Sequence, residues 1–582
     1  MPMKRDLASV VIPFPKGLMS TARSALSMPV TLGREVRNML MSADGAGSKR
    51  NGVVTCGPVI AGEVITGCMS FQAGSGLQLL VVTDAGKIYR LNGTSWVQVW
   101  SGLNESGVVR TVTFGGRLLL CNGVDDLIAW DGTAWSVVSK LVVDNAAGLA
   151  YGSATQFSIA SDASLYAVGS MVRAKLGSGY VTAAVSAVSV SGAAVTVTLG
   201  AAVLNNTLSE VAFTVKPPKV AALVAVHDRL WGFGKGPLAP TMSGDVDRLR
   251  VYYTYGVNDY TAWPDPATGS IPSINLADKA GVADELLAMS MKDGMTVFVG
   301  RNHLQLWTGT DPDADGDFAW SKTIPLGVVH GNAVLELPND LLFVGRQGAR
   351  TLSRTIQTEQ LDVSDVGSEL DPTFTDLVAQ VMADAGLYRR MVGMRHNGQG
   401  WFGLAMADCT LVWQIGAFGQ GWVVFDGVFA GLTAAHAAPD GELYIAKGGQ
   451  LYRYDVTSWS DGGDPITLRW WMPWVNPANR KRWANKYVEV LVKRVADGPF
   501  RLRRYCDYDD FSPQVAALAT SAEPNYWDDA DWDAGLWDSG NAALPLVRDH
   551  VVADSFSFAI ESETVTGPFT VFGIKLYGVA ER

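Results

Sequence analysis

Cysteine is scarce and shows no pairing pattern. Cys56, Cys68, Cys121, Cys409 and Cys506 are the only five in 582 residues, and no two are spaced Cys-x-x-Cys. An odd, scattered set argues against a disulfide scaffold or a zinc ribbon and suits a chain made in a reducing compartment. Histidine is nearly as rare: the six are His227, His303, His330, His396, His436 and His550. None pairs with another at metal-ligand spacing, so no metal centre or cofactor is expected from them. No uninterrupted apolar run approaches 18 residues, so no membrane span is expected. The opening Met3-Lys4-Arg5-Asp6 is followed by an apolar run broken at Pro13 and Pro15, which is not the pattern of a signal peptide. Positive charge is also short. Lys and Arg total 46 against 57 Asp and Glu, a net charge of −11. That balance argues against broad binding to a phosphate backbone, which needs clustered cations.

Catalytic motifs are missing as well. There is no Gly-x-Ser-x-Gly elbow. Gly232-Phe233-Gly234-Lys235-Gly236 lacks the spacing and the closing Lys-Ser/Thr of a phosphate-binding loop. The Ser-x-Asp-x-Gly-x-x-Trp box of sialidase-like propellers is absent too, because Asp131 directly precedes Gly132. The expectation is that this is not an enzyme. Spacing alone does not speak to a glycosidase carboxylate pair, which only a fold brings together.

What the chain does have is repetition. Leu79–Thr83, a Gly86 turn, Ile88–Leu91 and then Asn92-Gly93-Thr94-Ser95-Trp96 are followed by a second copy. That copy is Leu118–Cys121, a Gly123 turn, Leu127–Trp130 and then Asp131-Gly132-Thr133-Ala134-Trp135. Each reads as strand, turn, strand, and an Asx-Gly turn into a strand opened by Trp, the blade of a β-propeller. Weaker echoes begin at Leu230-Trp231, Thr296–Gly300, Leu341–Gly345 and Leu443–Ala446. The 62 glycines and 19 tryptophans suit many tight turns between apolar strands. The fold class expected is all-β: a propeller of about six or seven blades, with an inserted small β-barrel-like domain and a C-terminal β domain.

The expected organisation is an N-terminal arm at 1–58, the first part of the propeller at 59–138, the insert at 139–218, the second part at 219–464 and the C-terminal domain at 465–582. The insert is rich in Ala, Ser and Val and nearly free of charge. One helix is expected at 372–390, capped by Asp371, started by Pro372, with an apolar stripe of Leu377, Val378, Val381 and Met382.

Two clusters carry candidate binding chemistry. Asp311, Asp313, Asp315 and Asp317 alternate with a Gly at the sixth position, like the first half of a calcium loop. The twelfth position is Lys322 where a Glu belongs, and the flanks read as strands. The alternative is an acidic hairpin tip. Arg480-Lys481-Arg482, with Arg494, Arg501, Arg503 and Arg504, could meet nucleic acid or an acidic neighbouring subunit; Arg480, Lys481 and Arg482, with Arg34, Arg37 and Arg50 of the arm, are the candidates for subunit or adaptor contacts. Trp527, Trp532 and Trp537, interleaved with aspartates, read as the seal of a β core or as a sugar-stacking platform.

Taken in order, these features resemble the tail-nozzle or tail-hub (packaged-DNA stabilisation) proteins of short-tailed bacteriophages. The resemblance rests on several short stretches. They are Asn38-Met39-Leu40 leading to Gly47-Ser48-Lys49-Arg50-Asn51-Gly52, Val226–Trp231, the Tyr252-Tyr253 strand with Trp263, Thr296–Gly300 through Trp307, Gly327, Leu342–Gly345, and the terminal Trp-Asp repeats. It implies a structural virion protein made in the host cytoplasm and built into the phage tail. Six copies would form a homo-hexameric ring below the portal and the head-to-tail adaptor, with tail fibres or spikes docking on the flank. Packaged DNA would pass through the lumen without sequence-specific binding, be retained there, and leave when the tail opens. Two other readings stand beside it: a carbohydrate-binding, receptor-recognising tail propeller, and a propeller hydrolase of surface polysaccharide.

Overall fold

Trp135 opens a strand, as its place after the Asp131-Gly132 turn requires. In the computed structural model it begins the last strand of an antiparallel meander, Arg110–Phe114, Arg117–Cys121, Ile128–Trp130 and Trp135–Val137. The Asp131 carboxylate accepts the Thr133 hydroxyl at 2.7 Å, the Ala134 N–H at 2.8 Å and the Thr133 N–H at 2.7 Å, while Gly132 takes φ 100°. Those bonds hold the Asp131 carboxyl down at about 2. The structure describes residues 7–581 apart from 17–18, 25–26, 43–44, 75, 106–107, 235, 237–245, 282, 314, 338–339, 359–364, 417–418, 480, 494–497, 512, 521–541, 544–545 and 563–566.

Among the described residues the strands from Ile65 to Asp455, apart from those of the insert, form seven successive meanders. The fold is all-β, of β-propeller type. The first copy of the repeat is the sheet Ile65–Ala73, Gly76–Thr83, Lys87–Asn92 and Ser95–Ser101. The echoes all become strands: Arg229–Phe233, Met295–Gly300, Asp340–Gly345 and Leu443–Lys447. The sixth meander, Val392–His396, Trp401–Met406, Cys409–Gly416 and Gly419–Phe425, has no counterpart among the sequence echoes.

By its contacts the chain divides into two compact units. One comprises 71–90 and 98–327. Its meanders bury their inner strands on both faces: Leu119, Cys121, Leu127 and Ala129 pack with Leu223, Leu230 and Trp263 in one core. The insert lies in this unit. Seven antiparallel strands run from Lys140–Val143 at one end of the sheet to Ala150–Ser153 at the other. The 13-residue strand Gly179–Ser191 bends at a bulge near Val185 and pairs with Met171–Leu176 through one half and Ala194–Leu199 through the other. Both halves wrap one core in which Tyr166 meets Phe157 and Phe213 edge to face. The sheet therefore curls like a barrel, but its two end strands do not pair with each other.

The other unit comprises 1–70, 91–97 and 328–582. Its N-terminal stretch, expected as an arm, is woven into three sheets instead. Ala8–Pro13 and Gly47–Lys49 pair with the C-terminal strand Thr570–Ala580. Glu35–Arg37 lies between Gly419–Phe425 and Leu468–Trp471, joining the sixth meander and the C-terminal strands into one nine-stranded sheet. Gly52–Thr55 adds the fourth strand to the meander Ala434–Ala437, Leu443–Lys447 and Gln450–Asp455. The C-terminal β domain is thus continuous with the propeller sheets of this unit. The physical reason is burial: Val36, Met39 and Val53 are no more than 1 % exposed.

The expected helix is two, Asp371–Ala383 and Ala385–Arg389. Asp384 breaks the run and caps the second, accepting the Gly386 and Leu387 N–H groups. Asp371 is not the cap; its carboxylate takes the Arg350 guanidinium at 2.8 Å through both oxygens. The buried face is Phe374, Val378 and Val381, with Leu377 and Met382 at its margins.

Candidate functional site

The arm arginines turn inward. Arg50 is fully buried, and its expected role as a subunit contact is corrected by that burial. Its guanidinium donates to both Asp461 oxygens at 2.8 and 2.6 Å, to Asn38 Oδ1 at 2.9 Å, and to the Asn51 and Asp426 carbonyls at 3.0 Å each. Its plane lies 4.7 Å from the Phe429 ring centroid. Asn38, at φ 52°, turns the chain between two short strands and donates its amide to Asp426 and the Thr467 carbonyl.

From there a line of charge crosses the nine-stranded sheet. Arg37 pairs with Asp426 and Glu35, each at 2.8 Å. Glu35 pairs with Arg469 at 2.9 Å, Arg469 with Glu561 at 3.0 Å, and Glu561 with Arg503 at 2.5 Å. The register explains the line, because Arg37 faces Arg469 and Arg469 faces Glu561 across adjacent strands. These outer pairs are partly exposed, so each adds little by itself. Arg34 takes Asp510 through two bonds of 2.7 Å and stacks 4.0 Å over Trp471. Neighbouring Lys49 is buried, and burial pushes its ammonium down to about 8, while it donates to the Trp459 carbonyl at 2.7 Å.

The second basic cluster divides. Lys481 and Arg482 are exposed, and Arg482 makes a long contact to Asp554 at 3.9 Å and a bond to the Val552 carbonyl at 3.2 Å. Arg504 is held by Asp549 and Gln514 inside the C-terminal sheets. Arg480, Arg494 and the Trp527, Trp532 and Trp537 run lie outside the described residues.

The acidic loop spends its carboxylates locally. Asp311 and Asp313 meet Arg229 at 3.3 and 2.7 Å. Asp317 accepts the Thr310 and Asp311 N–H groups at 2.8 and 2.9 Å, which lowers its pKa. Among the described residues Asp315 has no such bond, and no three His, Cys, Asp or Glu side chains are placed to share a metal ion. The loop is built as a tethered hairpin tip.

Three features lay beyond sequence reasoning. Ser70 Oγ lies 2.8 Å from His436 Nε2, an arrangement only the fold creates from residues 366 apart. Burial pushes His436 down to about 4, so its ring is neutral at pH 7. Ser70 is 5 % exposed, so this is a packed pair and not an open dyad. A cleft of about 430 Å³ is lined by Leu32, Arg354, Val366, Trp413, Gln420 and Trp422. Its carboxylates are engaged: Asp365 accepts from Thr351, and Glu369 from Ser20 and Arg23. Last, the turn Asp507-Tyr508-Asp509-Asp510-Phe511 presents Phe511 at 95 % exposure.

No family model matches this chain. No curated protein matches it either. Solved structures to which it is similar include BamB from Moraxella catarrhalis, 11 % identical over 71 % of this chain and 92 % of that one, with a TM-score of 0.33. The computationally designed Ika8 protein is 10 % identical over 69 % of this chain and 99 % of that one, with a TM-score of 0.32. BBS1N, solved in complex with ARL6DN, is 10 % identical over 69 % and 96 %, with a TM-score of 0.26. The propeller assignment rests on the meanders themselves. No helix among the described residues is long and apolar enough to cross a membrane.

Proposed function

We propose that this chain is a structural virion protein of a short-tailed bacteriophage, a tail nozzle or hub that extends the DNA channel, retains packaged DNA and opens for ejection. The observation that supports it most is how the chain spends its charge. Arg34, Arg37, Arg50, Arg469 and Arg503 all pair with carboxylates of the same unit, and the pairs fasten N-terminal strands to propeller and C-terminal strands. A part that resists force needs its sheets tied together, and Ala8–Pro13 and Thr570–Ala580, far apart in sequence, pair in one sheet. Net charge of −11 suits a channel wall that lets DNA slide, since an acidic wall does not release counterions from phosphate. A closed ring requires head-to-tail contacts between copies. Lys481 and Arg482, both exposed, suit contact with a neighbouring subunit or adaptor.

The test is electron microscopy of source particles labelled with an antibody to this chain. Label at a single tail vertex is the expected result. Unlabelled particles, with the protein free in the lysate, would sink the reading and favour a free carbohydrate-binding propeller, which a glycan array would then detect.

A further inference from the structure

The last strand of the first meander, Ser95–Ser101, stands at the end of its sheet. Among the described residues no other strand pairs with its outer edge, so a row of backbone N–H and C=O groups is left open there. Such an edge is normally blunted by shortness, a charge or a proline. The matching edges of the next three meanders follow that rule. Trp135–Val137 and Ser273–Asn275 are three residues each, and Ala319–Ile324 carries Lys322. Ser95–Ser101 follows none of it: the run is Ser95-Trp96-Val97-Gln98-Val99-Trp100-Ser101, seven residues without charge or proline. Ser95, Val97, Gln98 and Ser101 are exposed, and Trp96, Val99 and Trp100 are half-buried. Trp96 donates its indole N–H to the Pro58 carbonyl at 2.8 Å, which holds its ring in place before any partner arrives.

The order of these residues points to what pairs with them. Read from either end, the strand is the same sequence, with Gln98 at its centre. Two copies laid antiparallel about Gln98 put Gln98 opposite its own equivalent, Val97 opposite Val99, Trp96 opposite Trp100 and Ser95 opposite Ser101. Side chains alternate between faces, so the tryptophan pairs flank the glutamine pair on one face. The valine and serine pairs lie on the other. Aromatic and hydroxyl pairs directly across a ladder stabilise it, and here no charge is brought against another. Antiparallel pairing is also the stronger ladder. The surface is thus self-complementary, as a twofold contact requires. The strand is about 24 Å long, which makes a small specific interface, so the pairing is reversible and follows concentration. A twofold contact closes at two copies. It is therefore separate from the head-to-tail contacts of a ring and does not depend on that reading.

We propose that free copies of this chain pair as twofold dimers, joining Ser95–Ser101 of each into one continuous sheet, antiparallel about Gln98. The test is sedimentation of the full-length chain across a concentration series, with Gln98→Lys and Gln98→Glu copies alone and mixed. Position 98 meets its own equivalent at the twofold, so either substitution sets two like charges face to face. The wild type should dimerise, and each variant alone should do so about tenfold more weakly. The equimolar mixture sets an ammonium against a carboxylate and should recover the dimer to wild-type strength. Gln98 is exposed, so both variants keep the fold, which circular dichroism checks. A wild type that stays monomeric throughout would overturn the pairing. So would variants that dimerise as well as the wild type, or a mixture no stronger than either variant alone. Larger rings that survive both substitutions, with no dimer beside them, would overturn it too and leave the ring reading in place.

Discussion

Replacing Arg50 with Met tests the central argument about this fold. The guanidinium satisfies Asp461, whose side chain is only 5 % exposed, and makes five hydrogen bonds in total. Methionine fills much of the volume but leaves a buried carboxylate unpaired, and breaking such a pair costs about 3 to 5 kcal/mol. Arg50 sits between Gly47–Lys49, in the C-terminal sheet, and Gly52–Thr55, the closing strand of the last meander. The loss should therefore appear first as local opening of that strand. Hydrogen exchange is the suitable assay, because a chain of two units does not unfold as one step. Amides of 52–55 and of their partners 452–455 should exchange about two to three and a half orders of magnitude faster. Those of Arg117–Cys121, in the other unit, should not change. Adding Asp461→Leu removes the stranded charge and should recover part of the loss, giving a coupling of about 1 to 3 kcal/mol. Unchanged exchange in Arg50→Met, or strict additivity in the double variant, would refute the clasp.

Gly52→Ala should damage the same strand by a different route, since a Cβ there would lie 1.9 Å from the Ser460 carbonyl oxygen. Lower soluble yield and faster proteolysis near 52–55 are expected, and a wild-type melting profile would contradict the packing. His436 predicts acid sensitivity: its folded pKa of about 4 lies below the ordinary 6.5, so the unfolded chain takes up a proton that the folded one refuses. Its contribution is present above pH 6.5 and is lost as pH falls toward 4, by at most about 3 kcal/mol. His436→Gln should flatten the stability slope between pH 6.5 and 4; an identical slope would show that other groups carry it.

Local pattern was legible and long-range partnership was not. The two Gly-Thr-x-Trp copies announced their meanders because turn chemistry and strand alternation are encoded within about 20 residues. The insert was legible from its loss of charge. The sixth meander escaped although Asn397-Gly398-Gln399-Gly400-Trp401 repeats the Asx-Gly-x-x-Trp order, because here that turn joins the first two strands and not the last two. Arg50 was misjudged because its partner Asp461 lies 411 residues away. A basic residue in an irregular stretch looks solvated until the fold supplies its carboxylate. Asp371 misled for the opposite reason: it stands where a helix cap belongs, but Arg350 offers a charge-assisted pair that outcompetes a single backbone bond.

The pairing of strands distant in sequence bears on the order in which these sheets form. Gly52–Thr55 is made early, yet its partner strand Gln450–Asp455 is made about 400 residues later. Ala8–Pro13 waits longer still, for Thr570–Ala580. Contacts so distant in sequence must overcome loop-closure entropy before they give anything back, so they form late. The strands Glu35–Arg37 and Gly52–Thr55, with Arg50 among them, therefore lock only once the C-terminal strands exist. Asp510, which Arg34 clamps at the base of the Phe511 turn, also belongs to that late region. Arg34 thus ties the setting of the exposed turn to completion of the same sheet. These pairings are therefore the last contacts of the sheet to form, and loss of Thr570–Ala580 would release Ala8–Pro13 and Gly47–Lys49 with it.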